Sequence, residues 1–213
     1  MNQVSSTLDY IDQSIIMKES KDDLMDNLGM AVGIYVIFMI ISLFANIIPF
    51  GSFVILGPLT LGMAIVGMRI VRQQELNIEN MFDGFKQFGD ALVAFLLIGI
   101  LVFFGVILFI VPGIILALGL SMTMYIVAEE PHLGATDAMK RSWELMDGYK
   151  VDYFILGLKF MGLALLCILT LGIGFLFLFP YVQITTARYF LILNRIKGYG
   201  EQEEGDDILN NLI

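Results

Sequence analysis

The sequence contains one cysteine, one histidine and five prolines, and only 15% of its residues are charged. A single cysteine excludes an internal disulfide and a thiolate metal cage, and a single histidine leaves little material for any other metal site. Soluble domains carry about 25% charged residues, so a chain this poor in charge cannot cover its surface with polar groups. The scarcity of charge therefore excludes an ordinary water-soluble domain.

Apolar residues, in contrast, make up 58% of the 213 residues. Three long segments, 27–68, 91–128 and 160–187, contain no charged residue. Because a helix needs roughly 20 residues to cross the hydrocarbon core of a bilayer, the first two segments each hold two crossings. The third holds two if Lys159 and Arg188 extend their charged ends to the interface. The sequence thus predicts an all-α integral membrane protein with six transmembrane helices.

Turn residues near the middle of each uncharged segment divide it into a helical hairpin, since Pro or Gly ends one helix before the next begins. The turns are predicted at Pro49-Phe50-Gly51-Ser52, Pro112-Gly113 and Leu171-Gly172-Ile173-Gly174. The predicted spans are 28–48, 53–69, 91–111, 114–128, 153–171 and 175–193, within a membrane domain over 27–193. A competing geometry, in which the short hairpins enter the bilayer and return without crossing it, stays open.

Basic residues predict the orientation. All twelve Lys and Arg lie outside the three turns, in the segments on the other side of the spans, and such an excess marks cytoplasmic loops. We therefore expect cytoplasmic termini and cytoplasmic loops at 70–90 and 129–152. Residues 1–26 lack the pattern of a secretory signal peptide, so the first span is expected to direct insertion into the inner membrane.

Each hairpin follows a polar segment, and these segments resemble one another. Asp83-Gly84-Phe85-Lys86 and Asp147-Gly148-Tyr149-Lys150 share one pattern, and Leu24-Met25-Asp26 is a weaker third copy. Pro58 and Pro180 take equivalent positions in the even-numbered spans. The pattern predicts three pseudo-repeats, each a cytoplasmic amphipathic helix followed by a hairpin. The alternative is that apolar sequence with few residue types resembles itself by chance.

Two cytoplasmic amphipathic helices are predicted, one over about 134–147 and one over about 8–25 within the N-terminal segment 1–26. An acidic cytoplasmic tail is predicted over 194–213. Because polar side chains are concentrated in the cytoplasmic loops, the leading hypothesis is an interaction or assembly factor that binds a protein partner there. The candidate contact residues are Lys140, Arg141, Trp143, Tyr149, Asp83 and Lys86.

The alternative function is a transporter or channel for a neutral or amphipathic solute. No Asp or Glu lies well inside a predicted span, so a proton relay of the usual kind is not expected. Pro58 and Pro180 are expected to kink their helices and to free backbone carbonyl groups. Gln183 follows one turn after Pro180. These three residues are the candidate lining of a solute path.

No arrangement of residues predicts an enzyme, and no cofactor is expected. Glu129-Glu130-Pro131-His132 has the Glu-x-x-His spacing of some metal centres, but Pro131 interrupts the helix and a second histidine is lacking. A Ser, His and acid set is also lacking, as is a glycine-rich phosphate loop. The net charge of −9 argues against nucleic acid as a partner.

Several motifs carry a family resemblance. They are Ile110-Val111-Pro112-Gly113-Ile114, Pro131-His132-Leu133-Gly134-Ala135, Ala138-Met139-Lys140-Arg141-Ser142-Trp143-Glu144-Leu145-Met146 and, more weakly, Gly57-Pro58-Leu59 and Pro180-Tyr181. Over roughly residues 25–195 the chain resembles the bacterial integral-membrane family called domain of unknown function 975. The resemblance implies a bacterial inner-membrane protein and offers no catalytic or binding residue to carry over. Membrane lipids are the expected surroundings, and a second copy of the chain is an open candidate partner.

Overall fold

The computed structural model describes residues 12–47, 51–170 and 172–199. The predicted tail from residue 200 onward and the first residues of the predicted N-terminal helix, 8–11, lie outside the described part. All regular structure within it is helical. The helices are α1 (Gln13–Asp26), α2 (Leu28–Ala45), α3 (Gly51–Val71), a 3₁₀ helix (Ile78–Gln87), α4 (Phe88–Leu108), α5 (Ile110–Gly119), α6 (Thr123–Glu129), α7 (Ala135–Leu145), α8 (Lys150–Leu169) and α9 (Phe175–Ile196).

Six stretches of the described chain are long and apolar enough to cross a membrane. They are Leu28–Ala45, Val54–Val71, Ile78–Leu108, Ile110–Glu129, Lys150–Leu169 and Phe175–Ile196. The prediction of an all-helical chain with six long apolar helices is confirmed. The observed helices differ from the predicted spans by a few residues at most ends.

The packed core lies around α3 and α9. Buried residues make up 67% of the membrane stretch in α3 and 56% of that in α9, but only 6% of that in α8. Leu59 and Leu61 of α3 and Tyr189 and Phe190 of α9 are fully buried. A soluble protein rarely exposes so much apolar surface, whereas a spanning helix meets lipid. α8 therefore stands at the edge of the bundle with lipid on most of its sides.

The 3₁₀ helix lies directly against the backbone of α3. A Cβ atom on Gly62 would stand 1.7 Å from the carbonyl oxygen of Met81, and one on Gly84 would stand 2.0 Å from that of Pro58. No side chain other than hydrogen fits at either position. The loop after α3 thus returns to cover the middle of the same helix.

The second hairpin turns at Phe109, whose backbone is extended with φ −159° and ψ 141°. The turn predicted at Pro112-Gly113 is therefore corrected to a position three residues earlier. Pro112 lies instead in the first turn of α5, where its missing N–H costs no helical hydrogen bond. Gly113 permits close packing on α4, because a Cβ there would stand 2.4 Å from Cγ2 of Val106.

The N-terminal helix α1 begins at a cap formed by Asp12, whose carboxylate accepts a 2.8 Å hydrogen bond from the backbone N–H of Ser14. α1 packs mainly on α9. The Tyr181 hydroxyl donates to the carbonyl oxygen of Met17 over 2.8 Å, and Gln13 Nε2 donates to that of Asp152 in α8 over 2.7 Å. Arg188, expected to extend its charge to the interface, is buried instead because α1 supplies its carboxylate partners.

Candidate functional site

The fourth membrane stretch is broken in its middle, between the end of α5 at Gly119 and the start of α6 at Thr123. In a regular helix Thr123 would donate to Gly119 and Met122 to Leu118. Here the N–H of Thr123 donates to the carbonyl of Leu120 over 3.2 Å. The break thus leaves the Gly119 carbonyl and the Met122 N–H without their helical partners.

Ser142 of α7 supplies both missing partners. Its hydroxyl donates to the carbonyl oxygen of Gly119 over 2.8 Å and accepts from the Met122 N–H over 3.2 Å. The neighbouring Trp143 ring lies against Gly119, where a Cβ atom would stand 2.4 Å from ring carbon Cε3. Ser142 is fully buried. The broken span and α7 therefore form one packed unit.

Hydroxyl groups gather beside this break. Thr186 of α9 donates to the carbonyl oxygen of Val182 over 2.9 Å, and its side chain also interacts with the hydroxyls of Tyr125 and Tyr153. The Tyr153 hydroxyl further interacts with Ser121 in the turn of the broken span. α6, α8 and α9 thus contribute to one uncharged polar cluster next to the break.

A cavity of about 340 Å³, half open to the outside of the bundle, adjoins the hydroxyl cluster. It is lined by Leu118 of α5, by Val182 and Thr186 of α9, and by residues of α8 between Tyr153 and Met161. Known small-molecule pockets occupy about 300–1,000 Å³ and combine apolar walls with a few placed polar groups. No charged side chain is among the described residues that line it. The cavity suits an uncharged, mainly apolar molecule that forms one or two hydrogen bonds.

The rim of the cavity faces away from the core. Leu158 and Met161 of α8 are 43% and 56% exposed, and α8 is the least buried of the membrane stretches. Gly157 belongs to the lining, and a Cβ atom built on it would meet nothing within 4 Å. A molecule could therefore enter sideways, between α8 and the rest of the bundle.

Three of the predicted contact residues are engaged within the chain. Arg141 pairs with Glu130 at 2.5 Å and lies 4.4 Å from the ring centre of Tyr199. Trp143 packs on Gly119 and carries the ammonium group of Lys150 at 4.3 Å above its ring. Lys197 lies 5.6 Å from the ring of Tyr149. These residues tie α7 to the start of α8 and the end of α9.

The other predicted contact residues are more exposed. Lys140 pairs only loosely with Asp137, at 3.4 Å, and its side chain is 76% exposed. Asp83 and Lys86 pair with each other at 2.7 Å on the 3₁₀ helix, where the Lys86 side chain is 78% exposed. A role of these residues in partner binding stays a prediction.

The three residues predicted to line a solute path lie in the packed part of the bundle. Pro58 is buried where α3 meets the 3₁₀ helix, and Pro180 is buried in α9. Gln183 is half-buried, and its backbone stands 3.2 Å from where a Cβ on Gly67 would be. The cavity is lined by Val182 and Thr186 on another side of α9. A solute path along these three residues stays a prediction.

The acids next to His132 serve as ion-pair partners. Glu129 pairs with Arg72 at the end of α3, and Glu130 pairs with Arg141. Within residues 12–47, 51–170 and 172–199, no group of three or more His, Cys, Asp or Glu side chains is placed to hold a metal ion. Glu129 thus connects the end of α6 to the end of α3, and Glu130 connects the end of α6 to α7.

Sequence reasoning missed the cavity and the role of Ser142. A weak signal for Ser142 exists, because this polar residue falls on the buried, apolar face of α7 together with Ala138 and Met139. A polar residue in an apolar stripe needs a buried hydrogen-bond partner, and the partner here is a backbone break 20 residues away. For the cavity we find no sequence signal beyond the glycine at position 157.

The architecture is that of a multi-pass membrane protein, by the length and composition of its six apolar helices. Comparison with known families gives one match, to the family described as "Protein of unknown function (DUF975)", over residues 106–197. This match covers less than half of the chain and confirms the predicted resemblance over that segment, which includes the broken span, α7 and the cavity. No curated protein and no solved structure matches the chain.

Proposed function

We propose that this protein binds an uncharged amphipathic lipid within the membrane and exchanges it between the surrounding bilayer and the helical bundle, without catalysing a reaction. The single observation that carries the proposal is the cavity between α5, α8 and α9. Its apolar walls suit an acyl chain, and the Tyr153 and Thr186 hydroxyls suit a hydroxyl or ester group. The lack of a charged lining residue disfavours a charged headgroup inside the cavity.

The break in the fourth stretch supports the same function. Transporters commonly place their binding sites where a membrane helix is discontinuous, since unwound backbone is tolerated there only beside protein or a cavity. Leu118 belongs to the cavity lining and precedes the break by one residue. Binding of a molecule in the cavity can therefore shift α7, because Ser142 and Trp143 of α7 contact the break.

The proposal includes a topology. We place the protein in the bacterial inner membrane as three hairpin repeats, with both termini in the cytoplasm. The end formed by α7 and the segments 72–90, 129–134 and 146–150, here called the polar end, then faces the cytoplasm as a set of amphipathic helices. The positive-inside rule supports this orientation, because Arg72, Lys140 and Lys150 lie there.

Trp143 offers a direct test, since it is the only tryptophan of the chain and packs on Gly119 beside the cavity. The protein in nanodiscs is titrated with a monoacylglycerol that carries bromine atoms on its acyl chain. We expect saturable quenching of Trp143 fluorescence. In Gly157→Leu, whose side chain would fill the cavity, half-quenching should need about ten-fold more lipid, a loss of about 1.4 kcal/mol.

The matched control is Gly162→Leu, on the same helix. Gly162 also has open space around its Cβ position but is not among the lining residues, so its quenching curve should equal that of the unchanged protein. Equal curves for the Gly157 and Gly162 variants would show that the lipid does not occupy this cavity, and the proposal would then be abandoned.

A second candidate is the interaction or assembly factor, with a protein partner or a second copy bound at the polar end. The exposed ammonium groups of Lys140 and Lys86 favour it, because neither is needed to hold the fold. Native mass spectrometry of the nanodisc sample reports a stoichiometric partner. Loss of that partner in Lys140→Glu with Lys86→Glu would support docking, whereas unchanged recovery would exclude these two residues from it.

A further inference from the structure

The side chain of Arg188 is buried inside the contact between α1 and α9, with only 7% of it exposed. One terminal nitrogen of its guanidinium donates to Glu19 at 2.5 Å and the other donates to Asp23. The side chains of Glu19 and Asp23 are only 20% and 11% exposed. Since these acids are four residues apart on a helix, both face Arg188 from the same side of α1.

The charges of this cluster do not balance. One guanidinium, which stays protonated in proteins, faces two carboxylates, so the fully ionised cluster carries one excess negative charge in a buried place. Asp22 and Asp26 of α1 add to the repulsion at Asp23, and Lys18 offsets part of it at Glu19. α2 contains no charged residue, and the only charged residue of α3 is Arg69. The other charged residue of α9 is Arg195, and α8 carries Lys150, Asp152 and Lys159.

Burial raises the pKa of both carboxyl groups above their ordinary values of 4.5 for Glu19 and 3.8 for Asp23, although Arg188 acts in the opposite direction. A carboxyl group with a raised pKa binds a proton more tightly in the docked helix than in a free one. Docking of α1 is then favoured at low pH and weakens as the pH rises through the raised pKa values.

Within residues 12–47, 51–170 and 172–199, three polar atoms at the same contact have no hydrogen-bond partner. They are Nε of Arg188, Oγ of Ser20 and Oε1 of Gln13, all buried. A permanently packed core satisfies such atoms. Burying such atoms without a partner costs free energy, which lowers the stability of docked α1.

We propose that the Arg188 cluster is a proton-binding site and that α1 docks onto α8 and α9 with the uptake of one proton. The proton resides on the carboxyl group that Arg188 does not neutralise. Docking in turn holds the lightly packed α8 through the hydrogen bond from Gln13 to Asp152. This inference goes beyond the lipid cavity and does not depend on what occupies it.

The test measures how often α1 leaves its site. Cys167, the only cysteine, is replaced by Ala, and Ser20→Cys then places a thiol at a fully buried position. Labelling of the nanodisc protein by a methanethiosulfonate reagent is compared with that of Met25→Cys, since Met25 lies on the same helix and is 59% exposed. The labelling rate of the Ser20→Cys protein is divided by that of the Met25→Cys protein. This ratio cancels the pH dependence of thiol reactivity itself.

We expect this ratio to rise between about pH 4.5 and about pH 8, because the docked cluster loses its proton above the ordinary carboxyl pKa of 4.5. Glu19→Gln removes the excess charge, so the ratio should stay low at both pH values. Arg188→Gln leaves two buried carboxyl groups without the cation that lowers their pKa values, so the ratio should be high at about pH 8 and should fall at the lower pH, where both groups bind protons. A ratio that does not change with pH in the chain with the intact cluster would overturn the proposal.

The Glu19→Gln variant also separates the proposal from an ordinary ion pair. If the acids only supply salt bridges, removing one charge weakens docking and raises the labelling ratio toward that of Arg188→Gln. The proton-binding site predicts the opposite, tighter docking at about pH 8. This variant keeps Arg188 paired with Asp23, so the outcome does not depend on whether Arg188→Gln folds.

Discussion

The segments Asp83-Gly84-Phe85-Lys86 and Asp147-Gly148-Tyr149-Lys150 share a pattern but use their glycines for different reasons. Gly84 lies against the backbone of α3, where a Cβ atom would collide with Pro58 and Gly62. Gly148 has open space around it but a φ of +87°, a conformation that few other residues adopt. The same four-residue pattern thus serves close backbone packing in one place and a helix end in the other.

The ion pairs within the two segments differ as well. Lys86 and Asp83 approach to 2.7 Å, but the Lys86 side chain is 78% exposed. Lys150 and Asp147 stand 3.7 Å apart, and the Lys150 side chain is only 19% exposed because it lies over Trp143. Sequence similarity between the two segments therefore does not establish equal surroundings. Substitutions at matching positions are expected to have different effects in the two segments.

The largest effect is expected for Gly84→Ala. The added Cβ would stand 2.0 Å from the Pro58 carbonyl oxygen and 2.5 Å from the Gly62 nitrogen, and neither backbone atom can move without shifting α3. We expect a loss of about 3 kcal/mol, the upper part of the range for overpacking, seen as a lower thermal unfolding midpoint in detergent. Gly89→Ala, in open space in α4, should leave the midpoint unchanged or raise it.

A smaller loss, about 1–2 kcal/mol, is expected for Gly148→Ala, because the cost is backbone strain alone. Asn tolerates the left-handed conformation better than Ala, so Gly148→Asn should recover part of that loss. At position 84, in contrast, Asn should be no better than Ala. The four variants are compared by the same thermal midpoint, and equal midpoints for Gly148→Ala and Gly148→Asn would refute backbone strain as the reason for Gly148.

The smallest effects are expected for the lysines. Lys150→Ala should lower stability by about 1 kcal/mol, since it loses a cation–π contact with Trp143, and it should change the emission of that single tryptophan. Lys86→Ala should cost less than about 0.5 kcal/mol, the usual value of an exposed ion pair, and leave the emission unchanged. An equal response of the two variants in fluorescence would argue against a specific contact of Lys150.

Much of the fold could be predicted from the positions of charged residues. Long uncharged segments have few ways to fold in a membrane, so the six apolar helices followed from segment length alone. Turns were harder to place. Phe109 carries no turn signal, and Pro112 fits equally well in the first turn of a helix and in the loop before it.

The contacts between distant segments could not be predicted. Arg188 resembles any basic residue near the end of a span, and its partners Glu19 and Asp23 lie 169 and 165 residues away in sequence. Likewise, the residues from Gly119 to Met122 look like part of an ordinary span, because no charge or proline interrupts them. Ser142 supplies the two hydrogen-bond partners that the break lacks, and pairing with a residue 20 positions away has no local sequence signal.

The dependence of the broken span on Ser142 has a consequence for biosynthesis. The Met122 N–H donates to a hydroxyl that is 20 residues further along the chain. At about 5–20 residues per second, the ribosome adds that residue roughly 1–4 s later. Until then a regular helix can satisfy the backbone groups of residues 119–122, which are costly to leave unpaired in hydrocarbon. The fourth span is therefore expected to enter the membrane as one helix and to break when α7 packs against it.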